Sequence, residues 1–158
     1  MSTSADDRTP AAPPSQAVPD PTVPNPTALN PTVFATLQAH DAPALIDYYQ
    51  RAFGFVLTAR YDDGELVAHA QLNWPEGSGA LMMGSHAPGK EWTREPGTAG
   101  VYLVTSDPAA LAARVAAVIP ELGGEIVRPL GATDHGGSEL TVRDPEGNLL
   151  SFGDYPGA

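Results

Sequence analysis

The stretch that decides the fold is Glu139 to Gly153, ELTVRDPEGNLLSFG. Two short strand candidates, Glu139 to Val142 and Asn148 to Phe152, flank Asp144-Pro145-Glu146-Gly147, a proline- and glycine-bearing turn that folds one back on the other. Moving towards the N-terminus, Glu125 to Arg128 reads as a further short strand, and Gly123-Gly124 ends a helix before it. Asp107 caps that helix, Pro108 takes its first position, and Leu111, Val115, Val118, Ile119 and Leu122 recur on one face. A strand over Val101 to Thr105 completes the unit, so its order is β-α-β-β-β.

The same grammar appears earlier in the chain. Val33 to Ala39 alternates as a strand, Asp41 caps a helix with Pro43 in its first turn, and Leu45, Tyr48, Tyr49, Ala52 and Phe53 form its buried stripe before Gly54 stops it. Strands are predicted over Phe55 to Tyr61, Leu66 to Trp74 and Ala80 to Met83, with turns at Asp62-Asp63-Gly64 and over Pro75 to Gly79. Asp41-Ala42-Pro43-Ala44-Leu45 and Asp107-Pro108-Ala109-Ala110-Leu111 fill equivalent positions, which points to duplication. The fold class is therefore α+β. Two βαβββ modules, at about 33–84 and 99–156, are expected to form a cup-shaped eight-stranded mixed sheet with a helix packed outside each half.

Ahead of residue 33 the character changes. Residues 1–32 hold 8 of the 17 prolines and almost no large apolar side chains, and read as a disordered arm beside a single folded domain, 33–158. The arm has one arginine, several acids and no continuous apolar run, so neither a secretory signal nor a transit peptide is read there and a cytoplasmic location is expected. No apolar run reaches the roughly 20 residues that span a bilayer. Net charge is −11, from 8 basic and 19 acidic residues, which argues against nucleic acid and anionic membranes as partners. The absence of cysteine removes disulfides, thiolate metal sites and cysteine nucleophiles. Gly77-Ser78-Gly79 is a turn rather than a nucleophile elbow, and no phosphate loop or dinucleotide fingerprint follows a strand.

Ile46 to Phe55, His69-Ala70-Gln71-Leu72 and above all Glu139 to Gly153 resemble the vicinal-oxygen-chelate superfamily of glyoxalases, bleomycin-resistance proteins and extradiol dioxygenases. The resemblance spans about Pro31 to Pro156. It implies a cup whose metalloenzyme members hold a divalent ion with one side chain from the first strand of each half and one from a later strand of each. In this chain those positions align with Phe34, Val101, a place near His69, and Ser151, so no metal cofactor is expected. An unorthodox set of His69, His135 and Glu139 is the only visible substitute.

The resemblance thus implies a bleomycin-resistance-type protein that binds or sequesters a small aromatic or heterocyclic compound without a metal. Family likeness further implies a homodimer. Two rival readings stand beside it: a metal-dependent lyase, isomerase or dioxygenase with a rebuilt site, and an interaction module tethered by the arm. Candidate ligand-binding residues are Phe34, Thr36, His69, Gln71, Trp74, Met82, Trp92, Val101, Glu139 and Ser151. If His69 faces the cup, strand alternation brings Gln71 and Asn73 with it as a polar stripe; otherwise His69 is a core histidine. Trp74 and Trp92 either stack on a planar ligand or lie over a core, and one of Met82 and Met83 must face the helix. Glu139 either draws a cation to the cup mouth or is a solvated strand end.

Overall fold

Asp41 and Asp107 begin both helices as their sequence context dictates. In the computed structural model, which describes residues 31–134 and 136–157, Asp41 Oδ1 accepts from Ala44 N at 3.0 Å and Asp107 Oδ1 accepts from Ala110 N at 2.8 Å. Each bond satisfies a backbone donor that the first helical turn leaves without a partner. The first helix, α1 (Ala42–Tyr48), runs into a π-helical turn, Tyr49–Phe53, and ends at Gly54, whose φ of 84° is open to glycine at little cost.

Around α1 lie β1 (Phe34–Ala39), β2 (Val56–Asp63), β3 (Leu66–Asn73) and β4 (Ala80–Ser85). The second module repeats the order with β5 (Gly100–Val104), α2 (Pro108–Leu122), β6 (Glu125–Ala132), β7 (Ser138–Arg143) and β8 (Leu149–Gly153). The eight expected strands are arranged as two four-stranded mixed sheets, β1-β4-β3-β2 and β5-β8-β7-β6. In each, the first strand pairs in parallel with the last, and the remaining ladders are antiparallel. Residues 1–30, most of the proline-rich arm, and His135 lie outside the described residues.

One hydrophobic core serves both modules. Tyr49, Phe53 and Phe55 of the first module and Phe152 of the second are all buried, and Phe53 stands 4.8 Å from Phe152, centroid to centroid. Trp74 completes the cluster at 5.2 Å from Phe55 and 5.9 Å from Phe152. Its indole Nε1 donates to Val104 O at 2.7 Å. Aromatic pairs of this geometry add about 0.5–1.5 kcal/mol each beyond the area they bury. The helices also meet at the surface, where the Arg51 guanidinium grips the Glu121 carboxylate through two parallel bonds.

A reciprocal exchange of glutamates fastens the modules. Glu146, in the turn between β7 and β8, accepts from His40 N and Asp41 N, both at 2.7 Å, where α1 begins. Glu76, in the turn between β3 and β4, accepts from Thr105 Oγ1 at 2.8 Å, Ser106 N at 2.6 Å and Ser106 Oγ at 2.8 Å, where α2 begins. Each carboxylate thus sits at the positive end of the other module's helix. Burial alone would raise the Glu76 pKa, but the bonds from Ser106 and Thr105 and the nearby Arg114 charge outweigh it and leave that pKa below its ordinary value.

Asp144 makes the second turn rigid. Its Oδ1 accepts from the backbone N–H groups of Glu146, Gly147 and Asn148, and its Oδ2 from Asn148 Nδ2 and the Tyr49 hydroxyl, all between 2.7 and 2.9 Å. A buried carboxylate is tolerable only when so fully paired. Gly97, on the loop between the modules, packs its α-carbon on this turn, where a side chain would collide with Glu146 O.

Candidate functional site

The ladder registers sort strand side chains onto two faces. In the first module Leu37, Ala39, Leu72, Leu81 and Met83 point to the helix and are buried. The opposite, open face carries Phe34, Thr36 and Gln38 from β1, Ala80 and Met82 from β4, and His69, Gln71 and Asn73 from β3. In the second module Leu103, Leu140, Val142, Leu150 and Phe152 point to the helix. Its open face carries Tyr102, Val104, Leu149, Ser151, Glu139 and Thr141.

Most of the candidates are brought together in two groups. Phe34, Thr36, His69, Gln71 and Met82 share the first open face, where two cross-strand rows run Phe34, Ala80, Asn73 and Thr36, Met82, Gln71. The polar stripe expected on β3 is present. Gln71 Nε2 donates to Asn73 Oδ1 at 2.8 Å, and Thr58 Oγ1 lies 3.2 Å from the same oxygen. His69 packs its ring 6.1 Å from Tyr61 across the β2–β3 ladder, half-buried rather than in the core. Glu139 and Ser151 share the second face. Ser151 Oγ shares a hydrogen bond with Thr141 Oγ1 at 2.8 Å, and Glu139 is neutralised by Arg128 Nη1 at 3.0 Å, so its carboxylate is not a bare cation trap.

Three candidates are placed elsewhere. Trp74 is 4% exposed and belongs to the inter-module core, because it follows Asn73 and alternation turns it towards the helices. Val101 pairs with the fully buried Leu150 and packs against the core, so it lines neither open face. Trp92 is 66% exposed on the long loop. That loop is pinned instead by Gln38, whose Oε1 accepts from Thr93 Oγ1 at 2.8 Å and Arg94 N at 3.2 Å.

Val101 stands one residue out of register with Phe34. Phe34 lies seven residues before the cap Asp41, and seven before Asp107 is Gly100, which pairs with Leu149 as Phe34 pairs with Ala80. The same equivalence makes Met82, not His69, the counterpart of Ser151. The duplication thus matches Phe34 with Gly100 and Met82 with Ser151, four positions that together offer a thioether and a hydroxyl. Among the described residues, no three His, Asp or Glu side chains lie close enough together to hold a metal ion. Of the unorthodox set, His69 and Glu139 stand on the faces of different modules, and His135 lies outside the described residues.

Sequence reasoning missed other face residues, among them Gln38, Ala80, Tyr102, Val104, Thr141 and Leu149, with Thr58 and Tyr61 beside them on β2. Only the spacing to the helix cap carried a signal for Tyr102.

Residues 29–152 match the family described as the glyoxalase/bleomycin resistance protein/dioxygenase superfamily. The chain belongs to this superfamily. Among solved structures of similar fold is TioX from Micromonospora sp. ML1, 28% identical over 77% of this chain and 95% of that one, with a TM-score of 0.62. A glyoxalase/bleomycin resistance protein from Streptomyces sp. CB03234 is 22% identical over 75% of this chain and 96% of its own, with a TM-score of 0.58. A V278E glyoxalase I mutant from Zea mays is 23% identical, with 75% of this chain matching 44% of that one and a TM-score of 0.61. Comparison with curated proteins gave no match. Superfamily members bind small molecules, and no helix among the described residues is long and apolar enough to cross a membrane.

Proposed function

We propose that this chain binds a small planar organic compound, without a metal ion, in a cup whose two walls come from two copies of the chain. One wall is the first module's open face and the other is the second module's open face from the partner copy. The observation that carries the reading is the donor-poor set Phe34, Met82, Gly100 and Ser151 at the positions that the superfamily's metalloenzymes give to ion ligands.

The dimeric arrangement rests on how one chain is packed. Both helices and the helix-side faces of both sheets close on a single core, leaving the open faces outside it. Tyr102, Val104 and Leu149 on the second face are 41–42% exposed, apolar surface that a second copy would cover.

Isothermal titration of chelator-treated protein against bleomycin-like compounds and other hydrophobic heterocycles tests the binding, and sedimentation tests the dimer. Saturable binding unchanged by chelator, on a dimeric species, is the expected result. Uniform failure to bind, or binding that appears only on adding a divalent ion, would overturn the reading.

A further inference from the structure

We infer that the first open face recognises a lactam edge, an N–H donor beside a C=O acceptor on a flat ring; the inference deepens the reading above and rests on it. Its basis is the pairing of Gln71 with Asn73. These two half-buried side chains leave β3 on the same face and are joined by one hydrogen bond of 2.8 Å. That bond uses one donor from Gln71 and the oxygen of Asn73. Gln71 Oε1 and Asn73 Nδ2 have no hydrogen-bond partner among the described residues.

The two atoms left over are an acceptor and a donor on same-face side chains already joined by one bond, the functional groups that a lactam edge complements. Turning both amides over exchanges the roles, so that Asn73 donates to Gln71, yet one donor and one acceptor again remain. The pattern therefore does not depend on how the amide atoms are assigned. Thr58 Oγ1, 3.3 Å from Gln71 O and 3.2 Å from Asn73 Oδ1, holds the pair from the β2 side. On the other side Ala80 and Met82, in register with Asn73 and Gln71, form an apolar floor that Phe34 extends. A flat ring lying on that floor brings its edge to the amides. No formal charge sits among these residues, so the fit is to a neutral edge rather than to a carboxylate or an ammonium.

Titration of the full chain with three probes tests the inference: quinolin-2(1H)-one, its N-methyl derivative, and naphthalene. The N-methyl group removes the donor while keeping the ring. The lactam should bind at least about tenfold more tightly than the N-methyl compound, because the methyl group leaves the amide acceptor unpaired and crowds the edge. In the Gln71→Leu/Asn73→Leu double variant that preference should vanish while naphthalene binding persists.

Equal affinity of the unaltered chain for lactam and N-methyl lactam would overturn the inference with no variant involved. So would a preference retained by the double variant. If the N-methyl compound and naphthalene bind with no lactam preference, the cup survives and the lactam edge alone fails. If none of the three binds, the lactam edge fails, and titration with bleomycin-like compounds decides whether the cup fails with it.

Discussion

The two modules share a plan but not a surface. Both cap their helices with aspartate, both pair the first strand in parallel with the last, and both send a Pro-Glu-Gly turn, at Pro75-Glu76-Gly77 and Pro145-Glu146-Gly147, to the start of the other's helix. Their open faces differ. The first offers amides, an imidazole, a thioether and a phenyl ring, and the second offers hydroxyls, an Arg–Glu pair and exposed Tyr102, Val104 and Leu149. The helix side of each sheet must fill one close-packed core, where a change of even a methylene is felt. The opposite side has no such core to fill among the described residues, and there the two copies of the plan are free to take on separate chemical tasks.

Breaking the shared core should have the largest effect. Phe152, fully buried between Phe53 and Trp74, joins the modules, and Phe152→Ala should cost about 3–5 kcal/mol in urea unfolding. If the modules are one cooperative unit, fluorescence and circular dichroism will lose structure in a single transition. Two separate transitions would mean that each module stands alone and that the comparison is between independent domains.

Next come the paired glutamates, which sharpen the symmetry. Glu76→Ala and Glu146→Ala should each cost about 1–2 kcal/mol, as losses of charged acceptors for helix-start N–H groups. A large cost for one and none for the other would show that the clasp is not reciprocal in energy. The Glu76 arm is also sensitive to pH. Because the folded-state pKa is depressed, its contribution is present above the unfolded value of about 4.5 and is lost as pH falls through the lower, folded value. The stability difference between the unaltered chain and Glu76→Ala should therefore shrink in acid below about pH 4.5.

Tyr102→Glu, on the second open face, should weaken self-association by at least about tenfold in sedimentation experiments, since it buries a charge against the proposed partner. Unfolding stability at low concentration should barely move. Dimerisation unaffected by this change would place the interface elsewhere. Smallest of all is Trp92→Ala. At 66% exposure and with Gln38 holding the loop through Thr93 and Arg94, it should shift stability by less than about 0.5 kcal/mol. A marked loss of ligand binding by that variant would give the loop a role that its position does not suggest.

Tyr48 marks where local reading stops. Its place in the α1 stripe is visible in the spacing of Leu45, Tyr48, Tyr49, Ala52 and Phe53. Nothing in that spacing says that its hydroxyl is buried without a hydrogen-bond partner among the described residues, or that burial, with the charge of Asp144, pushes its pKa up to about 12. Tyr49, beside it in sequence, receives the partner that Tyr48 lacks, because Asp144 arrives from the other module.

What the sequence determined by itself was the set of elements with local causes. The caps Asp41 and Asp107, the stop at Gly54, the Asp144-Pro145-Glu146-Gly147 turn and the doubled βαβββ order all follow from interactions within a few residues. The β3 stripe His69, Gln71, Asn73 was legible for the same reason, since alternation is a property of one strand. Only tertiary structure decided that Val101 turns inward while Tyr102 faces out, that Trp74 joins the core, and that Glu76 and Glu146 cross between modules. Strand register is set between chain segments far apart in sequence, and a slip of one residue exchanges the two faces of a sheet, so the information that assigns a face lies in the pairing and not in either strand alone.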